Sequence, residues 1–164
     1  MKITKQIYKI LSVIISCLLV VFALLLVGVR LFGFTPYTIL SASMEPKYPV
    51  GSLIYIRPIE KENIVVTDDI TYVFDEQLNV VTHQVIEISD DGEYFFTQGL
   101  ANQSPDTNPV YYENILGKVY FCIPLLGYVA SFLSSPLGLI ISILLILIWC
   151  VLIYMVELYR KNKN

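Results

Sequence analysis

His83 is the one histidine in this 164-residue chain, and it stands inside the β-like run Val80–Val81–Thr82–His83–Gln84–Val85–Ile86. An imidazole is the side chain best suited to take a proton from a hydroxyl near neutral pH. A lone histidine is more often structural than catalytic, so a partner is needed. Two candidate nucleophiles exist, Ser43 and Cys122. Ser43 lies in Ser41–Ala42–Ser43–Met44–Glu45–Pro46. A polar tether with a turn at Pro46 would also contain serines, but it would have no use for the apolar Ile39, Leu40 and Met44 around them. Cys122 sits in the apolar run Val119–Tyr120–Phe121–Cys122–Ile123–Pro124, where a free cysteine commonly serves as a small buried hydrophobe. A serine hydroxyl becomes a nucleophile only when a neighbouring base removes its proton. Acyl transfer also needs donors for the developing oxyanion, each worth roughly 3–4 kcal/mol.

The elements that must position these residues begin with two apolar runs. Mean hydropathy is +0.65, and charged residues make up only 15% of the chain, against about a quarter in an ordinary soluble domain. The excess is concentrated in Ile10–Val29 and Leu137–Val156, each without a charge. At about 1.5 Å per residue, twenty residues cover the roughly 30 Å hydrocarbon core, so both are expected to be membrane-spanning helices. The first is longer than a signal-peptide core of about 7–15 residues, and no convincing cleavage site follows it.

Charge orients the chain. Lys2, Lys5 and Lys9 precede the first run, and Arg160, Lys161 and Lys163 follow the second. Between Arg30 and Pro136 the basic residues are Arg30, Lys47, Arg57, Lys61 and Lys118, against thirteen acidic ones. Positive tails belong on the cytoplasmic side, which makes the tails 1–9 and 157–164 cytoplasmic, 10–29 and 137–156 spans of a multi-pass cell-membrane protein, and 30–136 extracytoplasmic. The acidic middle argues against nucleic acid, which requires a basic surface.

Within 30–136, short runs rich in Val, Ile, Tyr and Thr recur between turn residues: Ser52–Arg57, Asp69–Phe74, Asn79–Ile88, Glu93–Gln98 and Asn114–Ile123. This spacing predicts an antiparallel β domain, with Ser89–Asp90–Asp91–Gly92 as a hairpin turn. The fold class is therefore membrane-anchored and mainly β, two transmembrane helices flanking one outward-facing domain. Residues 119–133, apolar but broken by Pro124 and Gly127, are expected to form an interfacial segment anchored by Tyr120, Phe121, Tyr128 and Phe132. Of the three cysteines, Cys17 and Cys150 fall in the spans, so the outer domain has no internal disulfide available. No metal cluster or phosphate loop is visible, so no cofactor is expected.

Four segments then acquire a common meaning. Ser41–Ala42–Ser43–Met44–Glu45–Pro46 resembles the Ser-x-Ser-Met-x-Pro box of type I signal peptidases, in which the second serine is the nucleophile. Thr82–His83–Gln84–Val85 resembles the Thr-His-Arg-Val box of the endoplasmic-reticulum-type branch, which uses histidine as base. Gly99–Leu100–Ala101–Asn102–Gln103–Ser104–Pro105–Asp106 is similar to that branch's Gly-Asp-x-Asn…Asp segment, and Ile123–Pro124–Leu125–Leu126–Gly127–Tyr128 to its Ile-Pro-x-x-Gly-Tyr box. Order and placement between two spans extend the resemblance over nearly the whole chain. Leu100 departs from it by replacing the acid after the glycine, which leaves Asp106 as the acid able to orient His83, unless the site is a Ser–His dyad or Asp106 is a turn residue.

The resemblance implies a serine endopeptidase that removes signal peptides from secreted precursors, with Ser43 as nucleophile, His83 as base and the Ser43 N–H and Ser41 hydroxyl as oxyanion donors, unless Ser41 is a turn residue. Ser43, about thirteen residues beyond the first run, would meet cleavage sites as they emerge from the bilayer. Ile39, Leu40, Met44 and Ile54 are candidate walls of shallow substrate pockets, and an edge strand could take up an extended peptide by β-augmentation. Two rivals exist: a sortase-like transpeptidase using Cys122 with His83 and Arg57, and a catalytically silent, membrane-tethered binding or scaffold protein, for which Leu100 is the motive. Retention of both Ser43 and His83 weighs against the second.

Overall fold

The computed structural model describes residues 2–161; Lys163 of the expected basic tail lies outside them. Helix α1 (Lys2–Leu26) leads into strands β1 (Thr35–Thr38), β2 (Leu53–Arg57), β3 (Asp69–Val73), β4 (Val80–Ile88), β5 (Tyr94–Gln98), β6 (Val110–Tyr111) and β7 (Ile115–Ile123). Helices α2 (Leu126–Ser134) and α3 (Pro136–Lys161) follow. All strands pair antiparallel in one sheet of order β1-β2-β7-β3-β4-β5-β6. The last strand thus lies in the middle, between β2 and β3.

The five expected strands all form, each beginning within one residue of its reading. Two others were not expected. β1 contains Pro36, which withholds a ladder donor and suits an edge, and β1 is an edge strand. β6 is only two residues long. Residues 89–92 make the hairpin turn: the Gly92 N–H donates to the Ser89 carbonyl, and Gly92 takes φ +69°.

The membrane-directed parts differ from expectation at two places. Residues 10–29 are not one helix: α1 ends at Leu26, and Gly28–Phe32 tightens into a 3₁₀ turn stopped by Gly33 in the left-handed region. Gly28, a weak helix former, stands at the change. Among the described residues, one helix, Pro136–Met155, is long and apolar enough to cross a membrane, and the apolar stretch of α1 is Ile10–Leu25. Residues 119–133 serve two elements: 119–123 complete β7 against β2, and α2 starts beyond Pro124.

Side chains bind these parts together. Leu53, Tyr55 and Leu126 form a core with Phe22, Leu25, Val29 and Phe34, which joins the end of α1, the sheet and α2. The Tyr55 hydroxyl donates to the Leu25 carbonyl at 2.8 Å, satisfying one of the carbonyls a helix end leaves unpaired. A second core holds Ile39, Met44, Tyr48, Ile54, Ile56 and Val119. A third, Ile64, Ile70, Tyr72, Val85, Phe95 and Val110, underlies the β3–β5 half.

Candidate active site

Ser43 sits in a 3₁₀ turn, Ala42–Met44, between the edge strand β1 and β2. The next residue anchors it: Met44 is 1% exposed, in the core with Ile39, Tyr48 and Ile54. Burying such a side chain contributes about 1.5–3 kcal/mol, so the turn is held from beneath. Beyond it, Tyr48 donates to the Asp69 carboxylate at 2.6 Å, and Lys47 forms an ion pair with the same group. Asp69 opens β3 opposite Gln84 of β4. The serine-bearing segment is therefore tied to the strand pair that carries the histidine.

His83 lies in β4 opposite Ile70, buried to 8% exposure. Its Nε2 is 3.1 Å from Ser43 Oγ, and its Nδ1 is 2.6 Å from Asp106 Oδ2. A carboxylate only accepts, so the proton belongs on Nδ1, and the Nε2 lone pair then faces the serine. Three residues from separate parts of the chain meet in the order serine, imidazole, carboxylate. Ser41 Oγ is 3.2 Å from Ser43 Oγ, within hydrogen-bond distance.

Asp106 lies in the loop after β5, and the backbone brings it back: its N–H donates to the Thr97 carbonyl at 2.9 Å. Thr97 Oγ1 donates to Asp106 Oδ2 at 2.6 Å and Tyr72 Oη to the same oxygen at 3.2 Å. Burial, with the neighbouring Asp106 charge assisting, pushes the Tyr72 hydroxyl well above the ordinary tyrosine range. The reading of the sequence did not single out Thr97 or Tyr72. Thr97 offers one signal, a hydroxyl at a fully buried strand position, where an unbonded polar group would be costly.

Two glycines of the resembling boxes permit close backbone approaches. A Cβ at Gly99 would stand 2.7 Å from the Ser43 carbonyl oxygen, which accepts from the Ala101 N–H at 2.8 Å. A Cβ at Gly127 would stand 2.5 Å from the Ser52 carbonyl oxygen. The third box thus docks on the serine turn itself, and the fourth on the backbone at Ser52 that leads into β2. Leu100, 40% exposed, lies between these contacts, while Asp106 supplies the carboxylate against His83.

The remaining sequence candidates separate. Ile39, Met44 and Ile54 are core residues, with Ile54 at 0% exposure, and their bulk is consumed in packing rather than offered as pocket wall; Leu40 is 81% exposed. Cys122 packs against the Ile54 core, where burial pushes its thiol above the ordinary range. A raised thiol is a poor nucleophile, and His83 is engaged by Ser43 instead.

No family model matches the chain. It is 33% identical over 120 residues to Signal peptidase I W of Bacillus subtilis (strain 168). The match covers 68% of this chain and 63% of that protein, so the chain spans less than two thirds of its relative's length. Sequence likeness on that scale, in a mainly-β antiparallel domain carrying an apolar helix, identifies the chain as a member of the type I signal peptidase family.

Proposed function

We propose that this protein is a membrane-anchored serine endopeptidase that removes N-terminal signal peptides from secreted precursors. The observation that carries the reading is the continuous Ser43–His83–Asp106 hydrogen-bond chain, at 3.1 and 2.6 Å. Ser43 Oγ attacks the scissile carbonyl as its proton passes to His83 Nε2, forming the new C–O bond and an oxyanion. The oxyanion is met by the Ser43 backbone N–H and the Ser41 hydroxyl. Asp106 stabilises the imidazolium without itself being protonated. Collapse breaks the C–N bond, and His83 returns the proton to the leaving amine. Water, activated by His83 in turn, hydrolyses the acyl-enzyme.

The basic residues Lys2, Lys5, Lys9, Arg160, Lys161 and Lys163 support the membrane placement. α3 serves as one span and α1 as another, with both tails cytoplasmic and the sheet outside. The apolar stretch of α1 covers about 24 Å at 1.5 Å per residue, short of the roughly 30 Å core, so the following turn completes the crossing. Exposed Leu31 and Phe32 in that turn, with Leu125 just before α2 and Tyr128 and Phe132 on it, suit an interfacial position. A serine held there meets precursor cleavage sites as they leave the bilayer.

The test is mass spectrometry of secreted protein N-termini from cells carrying the wild-type chain, Ser43→Ala or His83→Ala. Uncleaved precursors are expected to accumulate with either variant at normal membrane abundance. The double variant is expected to be little worse, because the two residues act as one unit. Normal processing by either single variant refutes the assignment.

A further inference from the structure

The geometry points to Thr97, assisted by Tyr72, as a positioning residue that fixes the Asp106 carboxylate against His83. This rests on the proposed serine-protease reading.

Asp106 is a loop residue with a rotatable side chain, and orienting an imidazole demands a fixed one. Thr97 grips it twice. The Thr97 carbonyl accepts from the Asp106 N–H at 2.9 Å, which places the backbone. The Thr97 hydroxyl donates to Oδ2 at 2.6 Å, which fixes the rotation of the carboxylate. Tyr72 Oη lies 3.2 Å from both Asp106 Oδ2 and Thr97 Oγ1, so its one proton is shared between them. Both hydroxyls therefore converge on the oxygen that also accepts from His83 Nδ1.

Neither residue is placed there by fold requirements alone. Thr97 is 0% exposed in β5, opposite Val85 of β4, a position a valine of the same shape would fill without burying a hydroxyl. Tyr72, 2% exposed, reaches the site from β3, and its ring meets the His83 ring edge-on at 6.5 Å. Strands β3, β4 and β5 thus each contribute one side chain to the carboxylate, and a rigid sheet, rather than the loop, sets its direction. Support of this kind separates a fixed constellation from a loose one.

The experiment uses Thr97→Val, which keeps shape and removes the hydroxyl, and Thr97→Ser, which keeps the hydroxyl. Because His83 is the chain's only histidine, its Nδ1–H proton is unambiguous in an ¹⁵N-histidine NMR spectrum. That spectrum is recorded on the full chain in lipid nanodiscs in a Ser43→Ala background, so it needs no activity. The Nδ1–H resonance is expected to be displaced or broadened in Thr97→Val and retained in Thr97→Ser. In the Ser43-containing protein, kcat for precursor cleavage is expected to fall about tenfold in Thr97→Val, the scale of one hydrogen bond, with KM little changed and Thr97→Ser close to wild type. An unchanged resonance and kcat in Thr97→Val overturn the inference, as does a Thr97→Ser variant as impaired as Thr97→Val, which would make packing the cause. If the wild type cleaves no precursor, the functional reading fails, and the resonance still decides the role of Thr97 on the His83–Asp106 pair.

Discussion

The α-carbon of Gly99 faces the carbonyl oxygen of Ser43 so closely that a methyl group on it would stand 2.7 Å from that oxygen. The contact sits beside the Ala101 N–H bond to the same oxygen, so the loop leaving β5 and the Ser43 turn are docked backbone to backbone. Gly99→Ala must push the two apart. Cleavage is expected to fall at least tenfold, through kcat, while membrane insertion is unchanged. Wild-type kinetics from Gly99→Ala would show that the docking is dispensable.

Asp106→Asn removes the charge that supports the imidazolium and favours the wrong tautomer at His83. A loss of orders of magnitude in precursor cleavage is expected, since the same change in a serine-protease triad costs roughly 10⁴ in kcat. Leu100→Asp is expected to add little, because a carboxylate already occupies His83 Nδ1. Near-normal cleavage by folded, inserted Asp106→Asn would leave Ser43 and His83 as a dyad.

The pH–rate profile follows from the base. An imidazole base works only with its lone pair free to accept the Ser43 proton, so kcat/KM is expected to decline on the acid side. A profile still climbing steeply far above neutrality would indicate a lysine-like base instead.

Stability has an alkaline limit of its own. Burial first, and then the bonded Asp69 carboxylate, push the Tyr48 hydroxyl well above the ordinary tyrosine range; burial does the same to Tyr72. Unfolded tyrosine ionises near pH 10. The stabilisation is therefore complete below about pH 10 and is lost as pH rises from there towards the folded values. The Tm of the detergent-solubilised protein is expected to fall above about pH 10, less steeply in Tyr48→Phe. An identical alkaline slope in the variant would contradict this.

Much of the sheet was legible because its strands are long enough to show alternation and are bounded by strong breakers, as at Asp90–Asp91–Gly92. What was not legible has particular causes. β1 carries a proline that disguises a strand unless its edge position is known, and β6 is too short for any pattern. Val119–Leu133 has one apolar composition throughout, so only Pro124 marks where pairing with β2 gives way to a helix. At the site, Ser43 and His83 were visible from their boxes and Asp106 from the acid that Leu100 displaces. Thr97 and Tyr72 were not, since a hydroxyl reaching across strands leaves no local periodicity. Met44 and Ile54 show the converse: apolar residues beside a nucleophile read as pocket wall when they are the turn's foundation.

The central position of β7 bears on the order of synthesis. β1–β2 and β3–β6 share no ladder with each other; both are hydrogen-bonded to residues 115–123, the last strand to leave the ribosome. A nascent chain stopped before Ile115 carries Ser43 on one fragment of sheet and His83 with Asp106 on another. Ladder pairing between the two arms thus waits until the polypeptide has reached the threshold of α3, and before then contacts such as those at Asp69 and Ala101 link them. Arrested chains of increasing length are expected to take up a serine-directed probe at Ser43 only once Ile123 is exposed for folding.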